Sequence, residues 1–339
     1  MKKIHVLFSN ILLVTLLLSS AAFAQDEKEK PQKKYEFAKD RTISQTYNVS
    51  SSDKLSINNQ FGKVVIKTWT RNEVKVDIKI EVSSTVKEKT DEMFEDIDVN
   101  HGKDGSTVYF KTIMNKNGDR KENKNDKNKS YSNSINIDYE VNMPASLALT
   151  LKHQFGSVTL PDLQGKVDID QQFGSLTAGR LSNPGKVSVQ FGSANIEGVD
   201  GGNYNFQFIN NTATLKNATG DIKVNVQHCK SNNGVVIYAA NTNSLNVNAQ
   251  HSDVAVVVPK DMSVQFTIDT HFGSFQNNSS FNINNTQPED SDRRGPNFNK
   301  SYKGTSGQGK TKIDLDGNFT EFTIGHEAPP AKPKKVRSV

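Results

Sequence analysis

The sequence predicts an all-β chain wound as a single-domain parallel β-solenoid, and three observations predict it. A hexapeptide recurs at 18-residue spacing: Gln154–Phe155–Gly156–Ser157–Val158–Thr159, then Gln172 to Thr177, then Gln190 to Asn195. A fixed period near 20 residues marks stacked repeats. Apolar and polar residues alternate at period two around each copy, as in Val167/Ile169 and Val187/Val189, which is the pattern of half-buried strands. Apolar content is only 34%, which suits the thin core of a repeat protein.

The elements follow in order. Residues 1–24 read as a signal peptide: Lys2 and Lys3, an apolar run from Ile11 to Leu18, and Ala22–Phe23–Ala24 before the cut. That run is shorter than the roughly 20 residues a membrane span needs, and no later segment is apolar enough. Residues 25–41 are charged and predict a flexible linker. Residues 42–144 form an N-terminal β region. Its strands include Leu55/Ile57, Val64/Ile66 and Val74 to Ile80, with a short helix over 87–97, where Met93, Phe94 and Ile97 fall at helical spacing. Within it, 115–133 is almost wholly Lys, Asn, Asp, Ser and Gly and predicts a disordered insert. Residues 145–325 carry the repeats, in coils of about 17–23 residues. Thr286 to Gly309 reads as a long loop inside them, and Ile313 to Ile324 as a closing coil. Residues 326–339 predict a disordered basic tail. A sandwich-like N-terminal part followed by a solenoid is the alternative architecture.

The recurring Phe–Gly pair predicts the corner of each coil. The corner set is Phe61, Gly62, Phe155, Gly156, Phe173, Gly174, Phe191, Gly192, Phe208, Phe272 and Gly273. In the third copy Val187, Val189 and Phe191 share one parity, and after Gly192 the parity flips to Ala194 and Ile196. A strand changes face only at a bend, and glycine has the backbone freedom to make one. The expectation is therefore that Phe packs inward and Gly turns the chain.

Little in the chain points to chemistry. The net charge of +5 falls to +3 without Lys2 and Lys3 (5 − 2), too mild to predict nucleic-acid binding. Cys229 is the only cysteine, so no internal disulfide forms and a buried apolar role is expected. His228 and His251 fall at corner positions one coil apart, and with Cys229 they are the only candidates for a metal; Cys-x-x-Cys and His-x-x-x-His spacings are absent. His251–Ser252–Asp253 spells triad residues, but sequence neighbours in a strand face opposite sides. Asp168 and Asp170 share an outward face that the next coil continues as Lys186 and Ser188, which fits a solvated wall better than an acid pair. No cofactor and no catalytic residue is predicted.

The stretch Ile57–Asn58–Asn59–Gln60–Phe61–Gly62–Lys63–Val64–Val65–Ile66–Lys67–Thr68–Trp69, with Asn72 to Val76 and the closing Gly317 to Ile324, resembles a bacterial family of exported β-strand-repeat proteins called putative adhesins. The resemblance runs from about Ser44 to Ile324. It implies a right-handed parallel β-solenoid at the cell envelope and brings no catalytic residues. The chain departs from it in the 115–133 insert and in having His for Phe in two coils.

These readings predict an exported, non-enzymatic protein of the periplasm or cell surface. Small polar outward residues such as Ser175, Thr177, Ser188 and Asn195 suit weak contacts with a cell-surface glycan or an envelope protein. A structural or regulatory envelope component, or a polysaccharide-active enzyme, would be the alternatives.

Overall fold

The computed structural model describes residues 35–114, 132–207, 212–230, 234–287 and 298–330. The predicted signal peptide, most of the predicted 115–133 insert and Phe208 lie outside the described residues. So do the middle of the 286–309 segment and residues 331–339.

The described chain is all-β with one helix. The strands are β1 (Phe37–Asn48), β2 (Lys54–Trp69), β3 (Glu73–Ser84), β4 (Asp98–Asp104), β5 (Thr107–Ile113), β6 (Asn133–Pro144), β7 (Ala148–Leu160), β8 (Leu163–Gln172), β9 (Gly174–Gln190) and β10 (Ser193–Gln207). They continue as β11 (Ala213–Gln227), β12 (Val235–Gln250), β13 (Asp253–Val257), β14 (Val264–His271), β15 (Ser274–Asn278), β16 (Ile283–Asn285), β17 (Asn299–Ser306), β18 (Thr311–Asn318) and β19 (Glu321–Gly325). Helix α1 (Lys87–Asp96) lies where the Met93/Phe94 spacing predicts it. All strands belong to one mixed, mostly parallel sheet.

From β7 to β13 each repeat pairs in parallel with the next, so equivalent residues lie side by side. Val187 pairs with Tyr204, Tyr204 with Val224 and Val224 with Val247. Each of these is buried, in one continuous apolar core. No single repeat can enclose such a core alone; neighbours complete it.

Three expectations need correction. First, β1 begins at Phe37, inside the predicted linker, and pairs antiparallel with β3 over its whole length. Its alternation is weak because it is half exposed, so period two did not reveal it. Second, β17 runs through the predicted 286–309 loop and pairs antiparallel with β14. Third, the Ile313–Ile324 unit does not close the stack. β18 lies between β12 and β14, and β19 between β13 and β15. The chain passes down one side of β14 as β17, crosses its start through Gly307–Lys310, and returns on the other side as β18. Ser263 Oγ holds that crossing by accepting from the Gln308 and Lys310 N–H groups at 3.0 and 3.3 Å.

Inside the sheet, one row begins polar. Asn59 pairs with His153, and His153 with Gln171; the row then becomes Val189, Phe206, Val226 and Ala249. The polar members have a task at the corner. His153 Nε2 lies 3.1 Å from the Gly62 carbonyl, and Gln171 Nε2 donates to the Gly156 carbonyl at 3.0 Å. Asn59 donates to the Phe61 and Ile137 carbonyls and accepts from Thr112, which also bonds the Tyr139 hydroxyl. A buried carbonyl without a partner costs about 1–3 kcal/mol, so these side chains stand where an apolar one would leave a debt.

Burial lowers the pKa of His153 from its ordinary value. The folded state therefore holds the imidazole neutral, while the unfolded chain takes up a proton near pH 6.5. Its contribution to stability is complete above about pH 6.5 and declines as pH falls toward the lowered folded pKa. His153→Gln, which copies the next rung, should flatten the fall in urea midpoint between pH 7.5 and 5.5. Equal slopes in both proteins would contradict this.

Candidate functional site

The corner residues form a ladder on the outside of the protein, and this is the main correction to the sequence reading. Phe155, Phe173, Phe191, Phe272, Phe298 and Phe319 are 39–53% exposed. They do not pack inward. They do stack in register, as their spacing implies. Ring centroids are 5.3 Å apart for Phe61–Phe155, 5.0 Å for Phe155–Phe173 and 4.7 Å for Phe173–Phe191, with planes within 13°. Further along the order is His228, His251, Phe319, Phe272, Phe298, at 5.1, 4.9, 5.0 and 4.8 Å.

The reason for the reversal is a single backbone torsion. Phe173, Phe191, His228, His251, Phe272 and Phe319 all have φ between +49° and +58°. Alternation holds only while the backbone is extended. At the corner the left-handed residue swings its ring outward, although its parity is that of the buried residues before it. So the aromatic residue makes the turn in these repeats; Gly174, Gly192 and Gly273 do not have positive φ, whereas Gly62 and Gly156 do. The glycines answer a different need. A Cβ on Gly174 would sit 1.7 Å from the Gly156 carbonyl oxygen, and one on Gly192 1.7 Å from that of Gly174. The backbones of adjacent repeats touch there.

A left-handed residue with a side chain costs about 1–2 kcal/mol. Gly or Asn would cost less, and Asn217 takes this conformation in another corner. The rings offset the strain in part, since a stacked aromatic pair contributes about 0.5–1.5 kcal/mol. The corner position accepts Phe or His and takes no aliphatic residue in the described repeats. That substitution pattern is the signal in the sequence that marks an exposed ring rather than a core slot.

Beside the ladder runs a row of amides. Gln172, Gln190, Gln207, Gln227 and Gln250 are in register, followed by Asn318. Two residues earlier lie Ser188, Asn205, Asn225 and Asn248, with Asn225 donating to Asn205 at 3.0 Å. A shallow depression of about 200 Å³ opens between these rows, lined by Lys186, Gln190, Asn205, Asn225 and Gln227 among others. Of the small polar residues expected on the outer wall, Thr177 is exposed and Ser175 and Asn195 are half-buried, while Ser188 is buried.

The metal candidates do not come together. His228 and His251 stack ring on ring outside, while the Cys229 thiol is buried and lies 3.2 Å from the Gln227 carbonyl. Among the described residues no three His, Cys, Asp or Glu side chains are grouped to hold a metal ion. In His251–Ser252–Asp253 the serine is buried and donates to the Gln250 carbonyl at 2.7 Å, so it does not face the imidazole's side of the strand. Asp168 accepts from the Lys186 N–H at 2.9 Å and lies 3.6 Å from the Lys166 ammonium.

The two kinds of phenylalanine should respond differently to truncation. Phe206→Ala, in the core, should lose about 3–5 kcal/mol. Phe173→Ala, on the ladder, should lose less, about 1–3 kcal/mol, the worth of its two ring contacts. Urea titration measures both; equal losses would contradict the outward placement.

The solved proteins to which the chain is similar in structure include the following. One is described as a putative adhesin from Bacteroides fragilis (TM-score 0.40, 12% identity, covering 84% of this chain and 96% of that one). One is a putative adhesin from Parabacteroides distasonis (TM-score 0.29, 7% identity, 84% and 97%). The third is a putative cell adhesion protein from Clostridium sporogenes (TM-score 0.25, 13% identity, 85% and 99%). No protein-family model matches the sequence. No curated protein matches it either. These likenesses are too distant to assign a ligand.

Proposed function

We propose that the chain is a right-handed parallel β-solenoid of the cell envelope that acts without catalysis, as an adhesin holding a cell-surface glycan. Residues 1–24 direct export, 42–144 form the N-terminal β region, and 145–325 carry the repeats. The observation that supports this reading most is the exposed aromatic ladder with the amide rows beside it. Large exposed apolar strips are uncommon on proteins that meet only water. Stacking covers the ring faces, so the ladder offers edges along its length. The hydrogen-bonding capacity lies next to it, in Gln190, Asn205, Asn225 and Gln227. A long polar polymer can meet many such weak donors and acceptors at once, and repetition supplies the affinity that no single contact has.

No described helix is long and apolar enough to cross a membrane. The expected result is a signal on a glycan array that the triple variant Gln190→Ala/Asn205→Ala/Gln227→Ala loses while keeping its melting temperature, with reduced attachment of cells lacking the protein. Silence in both the array and the attachment assay would remove the adhesin reading.

A further inference from the structure

One row on the outer wall changes character near its end. In register, the outward positions just after the corner read Thr159, Thr177, Asn195 and Thr214, then Val236 and Ala255, then Thr323 and Gln276. The polar row turns apolar over β12 and β13. Val235, Ile237, Val254 and Val256 belong to the main core. Val236, Ala255 and Val257 therefore point the other way, pack with Tyr238 as a separate cluster, and are at most 9% exposed. Outward residues this well covered need something lying over them.

The chain after β19 returns to this face. His326 catches it: Nδ1 lies 2.9 Å from the Val258 carbonyl, Nε2 accepts from the Ser280 N–H at 2.9 Å, and the ring meets Phe281 edge-on at 5.3 Å. Pro329 and Pro330, the last described residues, then line a groove of about 270 Å³ with Ala255, Thr323 and Gln276. Asp253 and Glu321, register partners at the heads of β13 and β19, line it as well. Beyond Pro330 the sequence reads Ala331–Lys332–Pro333–Lys334–Lys335–Val336–Arg337–Ser338–Val339, with four cations.

We propose that this groove is a docking site for an extended segment bearing proline and lysine, and that its occupant is residues 331–339 of the same chain. Prolines hold a segment extended before it binds, which lowers the entropy lost on docking. Lys332, Lys334, Lys335 and Arg337 complement in charge the Asp253 and Glu321 carboxylates that line the groove, and the described chain ends at Pro330 on the groove's own wall. This does not depend on the adhesin reading.

The test is thiol labelling in the full chain. Ala255→Cys places a reporter in the groove, and the buried Cys229 serves as an internal marker of unfolding. Ala255→Cys should react with a maleimide slowly. It should react at least tenfold faster when Lys332, Lys334 and Lys335 are all changed to Glu, or when residues 331–339 are removed, while Cys229 stays unlabelled. A synthetic peptide of residues 327–339 should restore protection to the shortened chain, less so in the presence of Asp253→Asn and Glu321→Gln. Fast labelling of the unaltered tail's chain, or equal rates in all variants, would overturn the proposal. So would protection of the shortened chain that rises with protein concentration, since a second copy would then be the occupant. If removal of 331–339 exposes Cys229, the charge-reversed full chain decides.

Discussion

At each left-handed Phe or His corner from Phe173 onward, the corner N–H donates to a carbonyl at the corner of the neighbouring repeat. Phe173 donates to Gln190, Phe191 to Gln207, His228 to Gln250, His251 to Asn318, Phe319 to His271 and Phe272 to Phe298, all at 2.8–3.0 Å. This bond accompanies the left-handed corner residue, and it holds adjacent repeats at one register through the bend. A slip of one residue would reverse every side chain beyond it. The stacked rings outside, the touching glycine backbones and the buried row from Asn59 to Ala249 all follow from that one alignment. Where the corner is followed by Cys229, Ser252 or Thr320 instead of glycine, the side chain turns inward and bonds a carbonyl near the same bend.

Much of this was legible in the sequence. The 18-residue spacing identified Phe155, Phe173 and Phe191 as one set, Phe298 and Phe319 escaped the corner pattern, and the period-two strands and α1 lie where patterning placed them. Parity misled at the corner because counting by twos assumes an extended backbone, and Phe173 is not extended. A better sign was available in the substitutions: His228 and His251 stand in for Phe, which a dry core slot would not readily accept. β1 and β17 escaped notice because strands half open to water carry weak alternation. The insertion of β18 and β19 between earlier repeats is a matter of long-range pairing, and local pattern carries no trace of it. Residues 326–330 read as a solvated tail, yet His326 is bonded at both ring nitrogens.

The same alignment governs what the surface can do. In-register repetition turns one exposed Phe into a strip and one Gln into a row, so a weak contact is offered many times at strand spacing. It also gives the wall's carboxylates partners from the next repeat: Asp168, Asp162 and Glu197 each meet an N–H group or a lysine. The exception to repetition is the Val236–Ala255 stretch, where the row becomes apolar under Pro329 and Pro330.

The most direct test of the account is a double-mutant cycle across two rungs of the ladder, using Phe173→Ala and Phe191→Ala. Stacking in register predicts a coupling energy of about 0.5–1.5 kcal/mol between them, and none between Phe173→Ala and Phe272→Ala, which are not neighbouring rungs. Strict additivity for the adjacent pair would contradict the alignment on which the whole structure depends.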